Sequence, residues 1–325
     1  MEGDSLKYHQ SGTIKAACAA FDLDAEKAQL LKHMSNLIYE CGDKILRLTH
    51  SKHTEKAEIE AELRYMRFLE EKGVSVAKVV LTADNQLTAV LKKEDHYFTV
   101  VCFEKIEGYK INTPKWKEAH FQELGKLTAS LHKWGQLFLP QSTNDFLHWN
   151  QIDKGNFRQY LPKDERNLQA LHDMLVNEFN TYPKTKHNYG LIHYDIHYGN
   201  YLMTHEADKL VLFDFEMLCQ SWFINDIATV LYYACFLKGD QEELAYQNNF
   251  MHHFWMGYEA IFPIERKEKE KIPKFLLYRD LLVYGFLNKI WKGKDLIESE
   301  KNYLERLIKS ISFRRNLLDY GTPKK

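Results

Sequence analysis

The chain has 325 residues, 45% of them hydrophobic and 14% aromatic, enough for a sizeable core and for two packed lobes. A net charge of -1 without a basic stripe offers no electrostatic footprint for nucleic acid. No apolar run approaches the roughly 18 residues that a membrane helix needs, and no signal pattern opens the chain. Five scattered cysteines (Cys18, Cys41, Cys102, Cys219 and Cys235) contain no C-x-x-C pair and read as buried free thiols. The expected setting is therefore a reducing cytoplasm, with no membrane partner.

In chain order, residues 1–110 read as mixed structure. A helix over about 12–21 precedes strand-like runs at 36–40 and 44–49. A helix at 55–72 stops at Gly73, and further strand-like runs follow at 77–82, 87–92 and 97–103. After Gly108 helical periodicity dominates. Phe121, Leu124, Leu127, Leu131 and Trp134 recur at spacings of three and four, one face of a helix. Further helices are expected at about 164–180, 223–237, 242–262, 273–291 and 296–318, interrupted by short strands near 191–194, 200–204 and 209–214. The change of character divides the chain into residues 1–106, a small sheet lobe, and residues 107–325, a mostly helical lobe.

The chemistry is concentrated in Leu191-Ile-His-Tyr-Asp-Ile-His-Tyr-Gly-Asn-Tyr-Leu-Met203 and Leu212-Phe-Asp-Phe-Glu216. His193, Asp195 and Asn200 form an H-x-D-x4-N pattern, with Asp214 behind the apolar run Leu210-Val-Leu-Phe213. One carboxylate, Asp195, can orient an attacking hydroxyl. Two oxygen donors, Asn200 and Asp214, can hold Mg2+ on a nucleotide, and phosphoryl transfer needs both functions. Glu216, two residues on, faces the same side if the strand continues, either as a second metal ligand or as loop support. His193 is expected to brace the loop; His197 could brace it or meet substrate. Zinc on His193, His197 and Asp214 is a rival that leaves Asn200 without a role.

These motifs resemble those of the aminoglycoside phosphotransferase and choline kinase superfamily, whose fold is protein-kinase-like. The family's H-G-D-x-H-P-G-N is matched by His193-Tyr-Asp195-Ile-His197-Tyr-Gly199-Asn200. Its I-D-F-[DE] is matched by Phe213-Asp214-Phe215-Glu216, and its D-[LI]-A by Asp226-Ile227-Ala228. Tyr194 stands in place of a glycine and Tyr198 in place of a proline. The resemblance implies an α+β, two-lobed fold: a small N-terminal antiparallel sheet lobe that binds nucleotide and a larger helical C-terminal lobe that binds substrate. It implies Asp195 as catalytic base, Asn200 and Asp214 as Mg2+ ligands, and Asp226 as support of the catalytic loop from a helix start, where acids suit the dipole.

In the first lobe, Ser35 and Asn36 resemble part of the family's phosphate-covering hairpin; a simple turn is the alternative. Arg47 lies in a strand-like run where protein kinases carry a lysine, while Lys44 would face the other way. Ile59, Leu63, Met66 and Leu69 form an apolar helical stripe, and Glu62 falls inside it. An acid on a buried face requires a partner, and Arg47 is the one expected. The run 99–108 resembles the strand that lines an adenine site, with hydrogen bonds near Glu104 and Ile106 and apolar cover from Leu202 and Phe213. The many aromatics of the last hundred residues read either as helix packing or as walls of an acceptor pocket.

The activity implied is ATP-dependent transfer of the γ-phosphate to a hydroxyl of a small molecule such as an aminoglycoside, choline, homoserine or a sugar-like acceptor. A protein serine/threonine kinase of the same superfamily is one alternative, though only ten residues separate Phe215 from Asp226, too few for the usual peptide-docking segment. A non-catalytic nucleotide-binding scaffold is the other.

Overall fold

A computed structural model describes residues 11–33, 35–93, 95–111, 116–140, 145–151, 157–163, 167–205, 209–235 and 240–320. The chain divides into two compact units, neither continuous in sequence. The first gathers residues 1–115, 137–146 and 199–218; the second gathers 116–136, 147–198 and 219–325.

In the first unit, helix α1 (Ser11–Ala19) is followed by strands β1 (Ala28–His33), β2 (Asn36–Cys41) and β3 (Lys44–His50). Helix α2 (Lys56–Glu71) and strands β4 (Val79–Val80), β5 (Ala89–Lys92) and β6 (Tyr97–Glu104) come next. The sheet is antiparallel, in the order β1-β2-β3-β6-β4, with β5 also paired to β6. Side chains on a strand alternate between faces, so this sheet has two distinct sides. Leu37, Tyr39, Leu46, Leu48, Phe98, Val100 and Cys102 pack with Ala17, Cys18 and Phe21 of the α1 region on one side. Arg47 points to the other side, where it meets α2.

Strands β7 (Gly108–Tyr109), β9 (Tyr201–Thr204) and β10 (Leu210–Leu212) form a second small sheet of the first unit. Its end is tied to the chain after α2, since Leu212 N–H donates to the Ser75 carbonyl and Ala77 N–H donates to the Leu212 carbonyl. Tyr65 of α2 sets its ring edge-on to Phe138, Phe146 and Phe215, which draws residues 137–146 into this unit.

The second unit contains α3 (Glu118–Gly135), α4 (Leu168–Asn180), α5 (Phe223–Cys235), α6 (Asp240–Glu259), α7 (Arg266–Lys269), α8 (Ile272–Ile290) and α9 (Glu298–Tyr320), with the hairpin-like pair β8 (Tyr189–Ile192) and β11 (Cys219–Trp222). Helices α3 and α6 approach so closely that a Cβ on Gly125 would lie 2.1 Å from the Phe254 carbonyl oxygen, and one on Gly257 1.9 Å from that of Gln122. Trp149, Phe179, Trp222, Phe275 and Tyr278 interlock as one aromatic core, with Phe179 stacked on Phe275 at 4.3 Å. Many aromatics of this part of the chain are core: Trp222, Tyr232, Tyr258, Tyr278 and Tyr284 are all buried.

The expected elements are present with shifted ends, and three strands lay outside the expectation: β1, β7 and β11. Cys18, Cys41, Cys102 and Cys219 are buried free thiols; the Cys235 side chain lies outside the described residues. No helix among the described residues is long and apolar enough to cross a membrane.

Candidate functional site

The first unit holds a cluster of one cation and three acids. Arg47, in the middle of β3, forks onto Glu62 of α2, Nη1 to Oε1 at 2.9 Å and Nη2 to Oε2 at 2.8 Å. This is the pairing expected from the helical stripe, and both side chains are buried, at 6% and 8% exposure. A planar guanidinium suits such a two-point contact. Arg47 also lies 3.6 Å from Glu216 Oε1. Burial opposes its charge, but Glu62, Glu216 and Asp214 outweigh that and hold the guanidinium firmly protonated.

Glu216 does not reach this place by the route expected. The strand ends at Leu212, and Asp214 takes the left-handed conformation with φ +66°, so the alternation that would put Asp214 and Glu216 on one face is broken. The turn instead brings Glu216 to Arg47 and to the Asn36 side-chain amide, which donates to Glu216 Oε1. Crowding by protein atoms raises the Glu216 carboxyl to about 7, with Asp214 and Glu62 adding to the rise against the pull of Arg47.

Asn200 is buried at 6% exposure and immediately precedes β9, whose Tyr201 pairs with Leu212. The ladder then continues, as Phe213 N–H donates to the Asn200 carbonyl at 2.9 Å. The antiparallel register therefore sets Asn200 and Asp214 at the same end of one hairpin. An amide oxygen and neighbouring carboxylates, with more negative charge than Arg47 alone neutralises, make a hard-oxygen donor set that fits a divalent cation. Among the described residues, no group of three or more His, Cys, Asp or Glu side chains is placed to hold a metal.

Ser35 is exposed and Asn36 buried at the turn joining β1 to β2. Glu104 ends β6 exposed, while Ile106, Leu202 and Phe213 are half-buried. The Glu104 N–H already donates to the Lys78 carbonyl, and that of Lys105 to Asp43.

The second unit holds the segment around Asp195. Asp226, in the first turn of α5, is fully buried, and its Oδ2 and Oδ1 accept the backbone N–H groups of His193 and Tyr194 at 3.0 and 2.8 Å. His132 of α3 bridges Asp226 Oδ2 (3.2 Å) and the Tyr258 hydroxyl (2.7 Å). His193 is buried, and its Nδ1 accepts the Asp195 N–H at 3.3 Å. Tyr194, standing where the resembling family has glycine, adopts φ +68°. A side chain in that conformation is strained unless its surroundings hold it there.

Part of that restraint comes from Arg279 of α8, which the sequence reading passed over. It donates from Nη1 to the Tyr194 carbonyl at 3.1 Å and from Nη2 to Asp195 Oδ1 at 2.6 Å. Its guanidinium lies over the rings of Tyr194 and Tyr233, at 5.4 and 5.2 Å. A signal existed: Arg279 and Asp280 are the only charged residues in the apolar run 275–287. His197 Nε2 lies 3.3 Å from Asp195 Oδ2, and its ring packs 4.9 Å from that of Tyr233. Burial would raise the Asp195 carboxyl, but the His197 hydrogen bond and the charges of Arg279, His197 and His193 hold it well below the usual carboxylate range.

The chain is similar to known kinases. The chain is 29% identical over 324 residues to an amicoumacin kinase of Bacillus subtilis (strain 168), spanning 97% of this chain and 94% of that protein. It is 28% identical over 317 residues to a homoserine kinase of Mesorhizobium japonicum, spanning 94% and 92%. Among solved structures, an amicoumacin kinase in complex with AMP-PNP, Ca2+ and Ami matches with a TM-score of 0.88 and 26% identity over 95% of each chain. A microcompartment-associated aminopropanol kinase shares the fold, with a TM-score of 0.77 at 21% identity over 95% and 98% of the two chains. The α+β fold expected from the sequence, an antiparallel sheet followed by helices, is the fold of these structures. The model of the phosphotransferase enzyme family matches residues 28–256, from β1 into α6 and across every motif quoted above, and the chain belongs to that family.

Proposed function

We propose that this phosphotransferase moves the γ-phosphate of ATP to a hydroxyl of a small molecule, with Asp195 orienting that hydroxyl. The hydroxyl oxygen attacks the γ-phosphorus, the bond to the β–γ bridging oxygen breaks, ADP leaves, and the hydroxyl proton passes to the Asp195 carboxylate. Asn200 and Asp214 would hold Mg2+, which supplies neutralisation of phosphate charge when bound. The Ca2+ and AMP-PNP of the amicoumacin kinase support a divalent ion and a nucleotide of this kind.

The remaining roles follow from chemistry. Arg47, braced by Glu62, faces phosphate oxygens, and Ser35 and Asn36 cover them from the β1–β2 turn. Glu216 steadies Arg47 and Asn36. Adenine takes its hydrogen bonds at the chain following β6, from the Glu104–Ile106 backbone, with Leu202 and Phe213 as apolar cover. Because the Glu104 and Lys105 N–H groups are engaged, we assign the donor to Ile106. His193 and Asp226 support the loop. Residues 1–106 thus supply most of the nucleotide contacts and residues 107–325 the acceptor contacts, in a cytoplasmic enzyme.

The observation that carries this reading is the geometry of Asp195: a carboxylate held ionised and fixed by hydrogen bonds on a loop whose backbone is itself tied down by Asp226. ADP formation measured against amicoumacin, homoserine, aminopropanol, spectinomycin, choline and ethanolamine tests it. One or more of these should raise ADP release above the rate with water alone, and Asp195→Ala should abolish that rise. A rise that survives the substitution rules out the role given to Asp195.

A further inference from the structure

Asp195 cannot be understood from its own loop. Its Oδ1 is taken at 2.6 Å by a guanidinium that arrives from α8, eighty-four residues later in the chain. The same guanidinium grips the carbonyl of Tyr194, the residue just before Asp195, which carries the left-handed φ of +68°. One rigid group thus fixes both the backbone kink and the carboxylate that follows it. Burying an arginine is costly without several partners, and this one is only 7% exposed. It has the carboxylate, the carbonyl, the Tyr233 hydroxyl at 3.3 Å and two aromatic faces.

We propose that Arg279 is a positioning residue for phosphoryl transfer: it locks the Tyr194–Asp195 kink and keeps the Asp195 carboxylate charged and aimed at the acceptor hydroxyl. This rests on the reading of Asp195 as the group that meets that hydroxyl. It also accounts for a tyrosine at the glycine position. A glycine would adopt positive φ without restraint, whereas Tyr194 is held there by the Arg279 contacts on its carbonyl and its ring. The charged and titratable groups facing Asp195 are His193 and His197 from its own loop, Arg279 from α8 and Tyr233 from α5. Arg279 is the one permanent cation among them, and its removal leaves a partly buried carboxylate beside histidines and a phenol.

The test reads Asp195 directly. Protein labelled with 13C at aspartate carboxyls is titrated by NMR from pH 7.5 to 3.5, and Asp195→Asn identifies the resonance. In the wild type the Asp195 signal should stay in its ionised position across this range. In Arg279→Gln it should begin to titrate at the acid end of the range, its proton affinity raised at least about a hundredfold. Turnover with the best acceptor of the panel, or with water, should fall by about 10- to 100-fold with KM for ATP within about twofold, as expected when a reacting group is misplaced. Arg279→Lys keeps the charge but not the fork, so Asp195 should stay ionised while turnover recovers only in part. If Arg279→Gln does not fold, the Lys variant decides: an ionised Asp195 with reduced turnover upholds the proposal, and full turnover overturns it. A folded Gln variant with wild-type titration overturns it as well. The NMR titration does not depend on catalysis. Failure of the Asp195 reading would show separately, as an Asp195→Asn protein that still turns over.

Discussion

Two buried arginines, one in each unit, meet carboxylates in different ways. Arg47 is pinned by two parallel hydrogen bonds to Glu62, with Glu216 at 3.6 Å, so acids outnumber cations around it. Arg279 makes one hydrogen bond to Asp195 and spends the rest of its guanidinium on a carbonyl, a hydroxyl and two rings. Glu62 is 8% exposed, whereas Asp195 keeps 27% of its side chain accessible. The first pair is a structural clamp in a negatively biased cluster that has room for further positive charge. The second is a one-to-one pair whose carboxylate can still reach a ligand.

The largest effect should come from the open pair. Asp195→Ala is expected to lower turnover by about 10²- to 10⁴-fold, the usual range for a lost proton-handling group. Nucleotide affinity measured calorimetrically should change little. A large loss of nucleotide affinity instead would break the contrast drawn between the two arginine sites.

The closed pair should show its effect in stability. Arg47→Met leaves Glu62 buried and unpaired, at a cost of roughly 3–5 kcal/mol in urea unfolding. The double change Arg47→Met with Glu62→Met should recover much of that, because the cost lies in the orphaned charge. Arg279→Gln should cost less than Arg47→Met, since water reaches Asp195. Equal costs would argue that both pairs are structural.

A third pair sharpens the point. Asp280 adjoins Arg279 in sequence but is bound by Arg314 Nε and Ser310 Oγ of α9, both at 2.9 Å. Burial raises its carboxyl to about 6, against the pull of Arg314 and its hydrogen bonds. The folded protein therefore binds this proton more tightly than the unfolded chain, whose aspartate titrates near about 4. That advantage is complete below about pH 4 and is lost as pH rises through about 6. Wild type should lose stability relative to Asp280→Asn over this window, by on the order of 2–3 kcal/mol in denaturant titrations. A flat difference from pH 4 to 7 would mean that Asp280 is ionised throughout.

The smallest of these effects is expected in the acidic cluster. Asp214→Ala should weaken nucleotide binding at least about tenfold in the presence of Mg2+, or about 1.4 kcal/mol. It should change binding little when the metal is chelated. Equal weakening with and without metal would remove Asp214 from the metal site.

Much of this was legible in the sequence because it depends on local rules. Helices α2 and α3 announce themselves by apolar residues three and four apart, and Glu62 stood out because it interrupts such a stripe. The H-x-D-x4-N spacing of His193, Asp195 and Asn200, with Asp214 behind an apolar run, stands in the sequence itself. Strand β1 was not legible: Ala28-Gln-Leu-Leu-Lys-His33 is an edge strand without fully buried residues, and a register shift between Leu30 and Lys32 interrupts its alternation. Strand β11 was missed because Cys219-Gln-Ser-Trp222 has neither alternation nor turn signals around it. The condition that would have put Asp214 and Glu216 on one face, a strand continuing past 214, failed at one backbone angle, a left-handed φ that an aspartate adopts without any mark in the sequence.

The amino-acid order by itself determined most of the elements and the order of an antiparallel sheet followed by helices, since hydrophobic period acts over a few residues; the division into two units, each gathered from separate stretches of chain, it did not give. Arg47 with Glu62 apart, tertiary structure decided who partners whom. Arg279 reaches Asp195 across eighty-four residues, Glu216 reaches Arg47 and Asn36, and His132 completes the support of Asp226. Such pairings arise because a buried charge must find an opposite charge or a hydrogen bond wherever the fold brings one, and no periodicity along the chain encodes that distance.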